Sequence, residues 1–491
     1  MLFTHQTIKL IIIICFIIKL ILANYIPFLN DEAYAIAVSQ KFSWSFFDHP
    51  PIGFWSSLIF AKFTDITPFF YRLPFILYGL ATTIAIYKLG KETGNSYLGL
   101  WSALLYNLAP FYFFSGSLFI VPDAPLNLGI VLVGYCLVKL HNTSSKNNNI
   151  LLLLLGFSLA LCFASKYQGY LIGFGSLIVL YYSSQKLSLL KNPIFYLCTL
   201  VSLSGLLPTL IWNYQNEWVS FEFHRSRQDF TLNLSNFLIM FFASFLYILP
   251  QTILLPIKKI FFDIKSKNFK LSTLTSEKIL ILLALPNIII FTFVYITSSK
   301  TFPHWIMPGW LLLLPIAAKC LIVSDSRMKK IVFYSSNLII WPFLGIIILH
   351  SQTGILTNYQ KELPYWDNTL ELINWNPLKK PIDQIIRNLE DGNIKLAAFS
   401  WTEAGQLSTL MNNKYEVIVV DGEQHHFRFL RNSNETTPTI LLKLSLGLNP
   451  DTKKILNRLK KHQEDAYHIK NIVLKRGYRD YATASLFHFN Q

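Results

Sequence analysis

Charged side chains are scarce in this chain. Asp, Glu, Lys and Arg make up only 14% of its 491 residues, against roughly 25% in a soluble globular protein. Apolar residues make up 52%, with 40 Phe, and the mean hydropathy is +0.39. No soluble core hides that much apolar surface, so the solvent of most of the chain is a bilayer. Acidic charge is the scarcer sign, 27 Asp and Glu against 43 Lys and Arg, for a formal charge of +16. The basic residues sit mostly in short loops between apolar runs. That is the positive-inside pattern, and it excludes nucleic acid as the partner of this charge. Cysteine is also rare. Cys15, Cys136, Cys162, Cys198 and Cys320 all lie in or beside apolar runs, without metal-ligand spacing. A disulfide framework and a cysteine metal centre are excluded, and the five read as small buried hydrophobes. No convincing small-x-small cleavage site follows the first apolar run, 8–23, which reads as an uncleaved span.

A membrane span needs about 20 apolar residues. Such runs fall near 7–25, 67–87, 97–115, 122–140, 149–165, 168–184, 193–212, 234–255, 277–297, 305–322 and 331–350. The loops between them alternate in charge. One set carries Lys88 and Lys91; Lys139 and Lys146; Lys186 and Lys191; Lys258, Lys259, Lys265, Lys267 and Lys270; and Arg327, Lys329 and Lys330. These are cytoplasmic by the positive-inside rule. The other set, 26–66, 116–122, 165–168, 213–233 and 298–304, is poorer in positive charge. About eleven spans, an odd number, place the C-terminus on the far side. The expected fold is mainly α: a polytopic transmembrane helical bundle over 1–350, followed by a soluble α/β domain over 351–491. Within the first loop, 33–46 and 51–63 are aromatic and amphipathic and suit interfacial helices. The soluble part predicts strands at 394–399, 415–420, 437–443 and 469–475, with helices at 402–411 and 452–462. It contains neither a Gly-rich phosphate loop nor a nucleophile motif, and His425-His426 reads as a solvated loop pair.

The outer-face loops hold the informative polar residues. Asp31 and Glu32 follow the first span, and Asp48-His49 precede a Pro-Pro pair. Asp123 stands in Val-Pro-Asp-Ala-Pro at the mouth of a span, and Lys166-Tyr167 occupy a very short turn. His224, Arg225 and Arg227 lie in 213–233, and Lys300, His304 and Trp305 precede another span. Taken singly, each suits a boundary residue: a solvated carboxylate, a snorkelling lysine or an arginine on lipid phosphates. Ionisable groups gathered at one membrane face mark a site more often. Asp31 and Asp123 together suit a divalent metal cation or a general base, while lysines and arginines suit a phosphate.

Asn30-Asp31-Glu32-Ala33-Tyr34, Phe47-Asp48-His49-Pro50-Pro51, Pro122-Asp123-Ala124-Pro125 and Ser165-Lys166-Tyr167 occur in that order. Trp212-Asn213, Trp218-Val219-Ser220-Phe221 and Pro303-His304-Trp305 continue the series. Over about 25–350 the chain resembles the GT-C class of membrane glycosyltransferases, near the lipid A aminoarabinose transferases and the protein mannosyltransferases. The resemblance implies a sugar donor carried on a polyprenyl phosphate and a site on the outer face. Asp31, with Glu32, would be the loop-one acidic motif at the reaction centre, and Asp123 its partner carboxylate, the two aspartates holding the metal. His49, Lys166, Arg225, Arg227, Lys300 and His304 would surround the donor phosphate. Histidine 49 stands where the aminoarabinose transferases carry lysine, as it does in many relatives with other sugars, so the donor sugar stays open.

The resemblance further implies a multi-pass protein of the bacterial inner membrane, with its active site and C-terminal domain in the periplasm. The acceptor would be a lipid or glycolipid, lipid A or lipopolysaccharide core, reached among membrane lipids. Within enzymes the alternative is a protein O-mannosyltransferase. A lipid or sugar transporter is the alternative of another class. Against it stand the lack of repeats between the two halves and the clustering of polar residues at one face rather than at the midplane.

Overall fold

A computed structural model describes residues 3–59, 65–143, 148–184, 186–228, 230–323, 327–358, 360, 362–364, 366–389, 394–430 and 438–490. Lys146, residues 60–63 at the end of the second predicted interfacial helix, and Thr437 lie outside them. The chain divides into two compact units. The first comprises Met1–Ile21, Ser43–Ser56 and Arg72–Ile340, and the second Leu22–Phe42, Ser57–Tyr71 and Trp341–Gln491.

Helices built from the apolar runs form the first unit. Among the described residues of the whole chain, seven helices are long and apolar enough to cross a membrane: His5–Tyr25, Pro68–Thr93, Asp123–Asn142, Pro193–Gln215, Ser276–Thr297, Pro303–Val323 and Lys329–Thr353. The pair Leu234–Ile248 and Pro250–Lys265, bent by 114°, makes an eighth if taken as one span. The other three predicted spans are helical but short. Pro110, which lacks the N–H a continuing helix needs, splits 97–115 into Ser96–Leu108 and Pro110–Phe114. Asn149–Ser165 and Gly169–Tyr182 form a tight hairpin. A Cβ on Gly169 would lie 2.2 Å from the Cys162 carbonyl oxygen, so the reversal at Lys166–Gln168 requires glycine there. The core of this unit runs through Trp101, Leu104, Ile130, Leu283 and Leu311, all buried.

A five-stranded mixed sheet organises the second unit: β1 Lys395–Ala398, β2 Val417–Val419, β3 Pro438–Leu446, β4 Tyr467–Arg476 and β5 Arg479–Asn490, in the order β2-β1-β3-β5-β4. β1 runs parallel to β2 and β3, and β5 antiparallel to β3 and β4. The four strands expected from sequence are present, and β5 is an addition.

Two expectations for this unit fail. Helix Asn30–Ser39 does not lie with one face in a membrane interface, because eight of its ten residues, Glu32 to Ser39, are buried. It packs on helix Trp401–Leu410. The pattern misled because small residues, Ala33, Ala35 and Ala37, alternate with large ones, which suits a close helix crossing as well as an amphipathic surface. His425 and His426 are not solvated but buried, at 6% and 2% exposure, in the short helix His425–Phe429.

Candidate active site

In the first unit, polar residues of five loops converge on one ion pair. Asp123 opens helix Asp123–Asn142, and Lys166 occupies the hairpin turn after Ser165. Lys166 Nζ donates to both Asp123 carboxylate oxygens at 2.9 Å. The two side chains are 7% and 5% exposed. Low-dielectric surroundings strengthen such a contact and make either partner alone costly.

Imidazoles and an arginine surround this pair. Burial, then the charges of Lys166, His224, Arg227 and His304, hold the His49 ring well below its usual pKa. Its Nδ1 is buried with no hydrogen-bond partner among the described residues. His224 donates through Nε2 to the Asp48 carbonyl at 3.0 Å, because a carbonyl only accepts. Burial, with Arg227 and Lys166 assisting, takes the His224 pKa down to about 4. Tyr167 packs edge-on against His224, ring centroids 4.9 Å apart. Arg227 lies over the Phe223 ring at 4.3 Å. His304 is stacked between Phe111 and Phe302, at 6.0 and 5.7 Å.

The backbone explains how 213–227 reaches this place. Glu217 and Trp218 adopt positive φ, 55° and 56°. Asn213 stabilises the reversal, its carbonyl accepting the Trp218 N–H at 2.8 Å and its Oδ1 the Ser220 N–H at 3.2 Å. Helix Val219–Ser226 then runs back so that His224 meets the Asp48 carbonyl.

Sequence-predicted residues are therefore treated unevenly. Asp123, Lys166, His49, Arg227 and His304 are brought together. Arg225 is not. It is 76% exposed and forms an exposed ion pair with Glu222 at 2.8 Å. Lys300 is also exposed, with its backbone N–H on the Ser298 hydroxyl at 3.3 Å. His224 and Tyr167 are members that the sequence reading noted but did not assign. Their signal was adjacency to Arg225 and Lys166 in loops otherwise poor in charge.

Asp31 and Glu32 belong to the second unit. Asp31 is exposed in the first turn of helix Asn30–Ser39. Glu32 is buried and its Oε2 accepts the Leu29 N–H at 2.9 Å. Glu371 supplies a third carboxylate, unforeseen from sequence: its Oε1 accepts the Asn30 N–H at 3.1 Å. Burial, with the charges of Asp31 and Glu32, raises its pKa against the effect of the Asn30 N–H. Gln406 completes the support, donating to the Phe28 carbonyl at 2.9 Å and to Asn30 Oδ1 at 3.1 Å.

The residues do not fit the expected metal at Asp123, because Lys166 already occupies both carboxylate oxygens. Among the described residues no group of three or more His, Cys, Asp or Glu is arranged to hold a metal ion.

A family model, dolichyl-phosphate-mannose-protein mannosyltransferase, matches residues 48–212. That stretch contains His49, Asp123 and Lys166. No curated protein matches the chain significantly. ArnT from Cupriavidus metallidurans, solved bound to undecaprenyl phosphate, superposes with a TM-score of 0.62 at 13% identity, covering 98% of this chain and 97% of that one. The chain has the GT-C fold. The apo state of the same ArnT gives 0.61 at 13% identity, with the same coverage. The Saccharomyces cerevisiae Pmt1–Pmt2 complex, solved bound to the sugar donor, reaches 0.31 at 20% identity over 45% of this chain and 34% of that one, too little to add to the assignment. The GT-C fold implied by the order of the motifs therefore stands.

Proposed function

We propose that this GT-C protein takes a sugar from a polyprenyl-phosphate donor and passes it to a lipid acceptor, lipid A or lipopolysaccharide core, at the periplasmic face of a bacterial inner membrane. The observation that carries the donor half is the gathering of half-buried Arg227, His49, His224 and His304 around the buried Lys166–Asp123 pair. It is cationic overall, rich in hydrogen-bond donors, and screened from water at the ion pair. A departing polyprenyl phosphate accumulates charge as the glycosidic bond breaks, and preorganised cations stabilise that charge most where water is excluded. Lys166 and Arg227 supply the positive charge. His49 and His304 offer imidazole N–H donors beside the lysine. ArnT, which shares the fold, was solved bound to undecaprenyl phosphate, and this supports the donor class.

The acceptor rests on the motif order alone. An acceptor phosphate is already ionised and needs no base, whereas a hydroxyl acceptor needs one, and Asp31 is proposed for that role. A divalent cation at Asp31 is kept as a separate proposal. Metal analysis of purified wild type and Asp31→Asn tests it: equal metal content in both removes it.

The family-model description favours a second reading, transfer of mannose to protein. Mass spectrometry of lipid A and core from a deletion strain and its complemented parent decides between them. Loss of a sugar from lipid A or core in the deletion strain is expected. Unchanged lipid A and core, together with a lost protein glycoform, would establish the second reading.

A further inference from the structure

Helix Arg327–Thr353 ends in a feature that sugar transfer does not use. Its apolar stretch, Lys329–Thr353, has 25 residues. At about 1.5 Å per residue it is about 37 Å long, roughly 7 Å more than the hydrocarbon layer of about 30 Å. Its last turn, His350 to Thr353, is polar where the stretch before it is apolar, which suits the headgroup layer rather than hydrocarbon. Gly354, at φ +67°, turns the chain there, and its N–H returns to the His350 carbonyl at 2.7 Å.

The tip of the β4–β5 hairpin is fastened to this helix end. Gly477 has φ +61°, and a Cβ on it would lie 2.0 Å from the Thr353 carbonyl oxygen, a contact only glycine permits. Arg479 Nη1 donates to the carbonyls of Thr357 and, at 3.0 Å, Gln360. Asn358 Nδ2 donates to the Thr353 carbonyl at 2.9 Å. Behind the tip, buried Arg476 donates to Asp367 at 2.6 Å and to the Thr369 hydroxyl at 2.8 Å. The hairpin tip and the helix end thus form one rigid corner.

An open groove of about 870 Å³ runs through this corner, lined by Leu349, Gln352, Ile355, Asn358, Tyr478 and Arg479 among others. One wall is apolar and exposed, Leu349 at 47% and Ile355 at 40%. The other carries amide and guanidinium donors. Tyr478 stands at the tip, 98% exposed. Exposed tyrosine alone means little, but here it is held beside the polar end of a membrane-length helix, where amphipathic rings concentrate.

We propose that this groove binds the phosphodiester headgroup of a membrane phospholipid. Gln352, Asn358 and Arg479 face the phosphate, an acyl chain descends along Leu349, and the Tyr478 ring lies among neighbouring headgroups. The corner fixes the height of the sheet over the bilayer through β4 and β5. This depends on the membrane span and the groove, not on the identity of the sugar or acceptor.

The test uses full-length protein in vesicles of phosphatidylethanolamine and phosphatidylglycerol, with the five native cysteines replaced. A nitroxide is attached at Tyr478→Cys or, as an aqueous control, at exposed Lys461→Cys. Dissolved oxygen is expected to relax the 478 label more than a water-soluble nickel chelate does, with the reverse order at 461. Equal access of the chelate to both labels would overturn the proposal. Native mass spectrometry gives a second readout. Leu349→Ser, at a half-exposed side chain on the groove's apolar wall, is expected to lose retained phosphatidylglycerol while its thermal midpoint in detergent is unchanged. Retention equal to wild type would count against the groove. Inorganic phosphate added in excess should leave the retained lipid in place; displacement would mean a site for soluble phosphate instead.

Discussion

Asp123 and Lys166 show how far a single pair can be interpreted. Each is nearly buried, and each neutralises the other. Removing one partner of a buried pair costs about 3–5 kcal/mol, because the remaining charge is stranded. Asp123→Asn is therefore expected to lower the thermal midpoint as well as abolish transfer. The double variant Asp123→Asn/Lys166→Met should recover the midpoint while staying inactive. A single variant with wild-type melting would show that the pair is not closed in the folded protein. His49 and His224 make a second prediction. Both have pKa values depressed by burial and by nearby cations, His224 to about 4. The unfolded chain therefore binds protons that the fold does not, below the ordinary histidine value of about 6.5. Stability in detergent should be constant above that pH and fall progressively between about 6.5 and 4. Replacing His224 by Gln should flatten part of the fall; an unchanged profile would place the loss elsewhere. Sequence alone identified the sign of charge in this loop but not its direction. Arg225 and Arg227 are two residues apart on a helical turn, so one points to solvent and the other inward, and only the reversal at Glu217–Trp218 decides which.

Among the elements, those legible in sequence were the ones with a single period or a single burial class. The eleven apolar runs all became helix, and β1 to β4 matched their alternating or apolar segments. β5 was missed because it is the strand between β3 and β4, buried from Tyr481 to Phe489, so its sequence lacks the alternation that marks a half-exposed strand. Three of the runs form shorter helices than hydropathy alone suggests, because it registers neither the break at Pro110 nor the reversal before Gly169. Helix Asn30–Ser39 was misplaced for another reason: its partner, Trp401–Leu410, lies some 370 residues away in the chain. The crossing makes a sharp prediction. A Cβ on Gly405 would lie 2.6 Å from the Tyr34 nitrogen and 2.8 Å from its Cα. Gly405→Val is expected to destabilise the second unit by about 1–3 kcal/mol, seen as protease sensitivity between 394 and 430; wild-type resistance would show that the helices do not cross so closely. At the start of the same helix, Glu371→Gln preserves an acceptor for the Asn30 N–H and should keep activity, whereas Glu371→Leu should lower kcat with little change in donor KM. Equal activities in the two variants would remove Glu371 from the support of Asp31.

For the molecule as a whole, charge asymmetry between loops and the order of short motifs conveyed the most. They indicated the membrane class and the GT-C fold, which the superposition on ArnT bears out. They did not indicate that segments of the first loop, Leu22–Phe42 and Ser57–Tyr71, fold with the C-terminal residues, because that depends on contacts between distant parts of the chain. Sidedness is testable directly: reporter fusions after residues 143 and 400 should give opposite signals, and equal signals would mean a miscounted span. The central claim, however, is that the cluster around the buried Asp123–Lys166 pair seats a polyprenyl phosphate. Binding of undecaprenyl phosphate to purified protein in detergent tests it most directly. Wild type and Arg225→Ala should bind alike, Arg227→Ala should bind more weakly, and the folded double variant Asp123→Asn/Lys166→Met should not bind. Wild-type affinity in that double variant would contradict the claim.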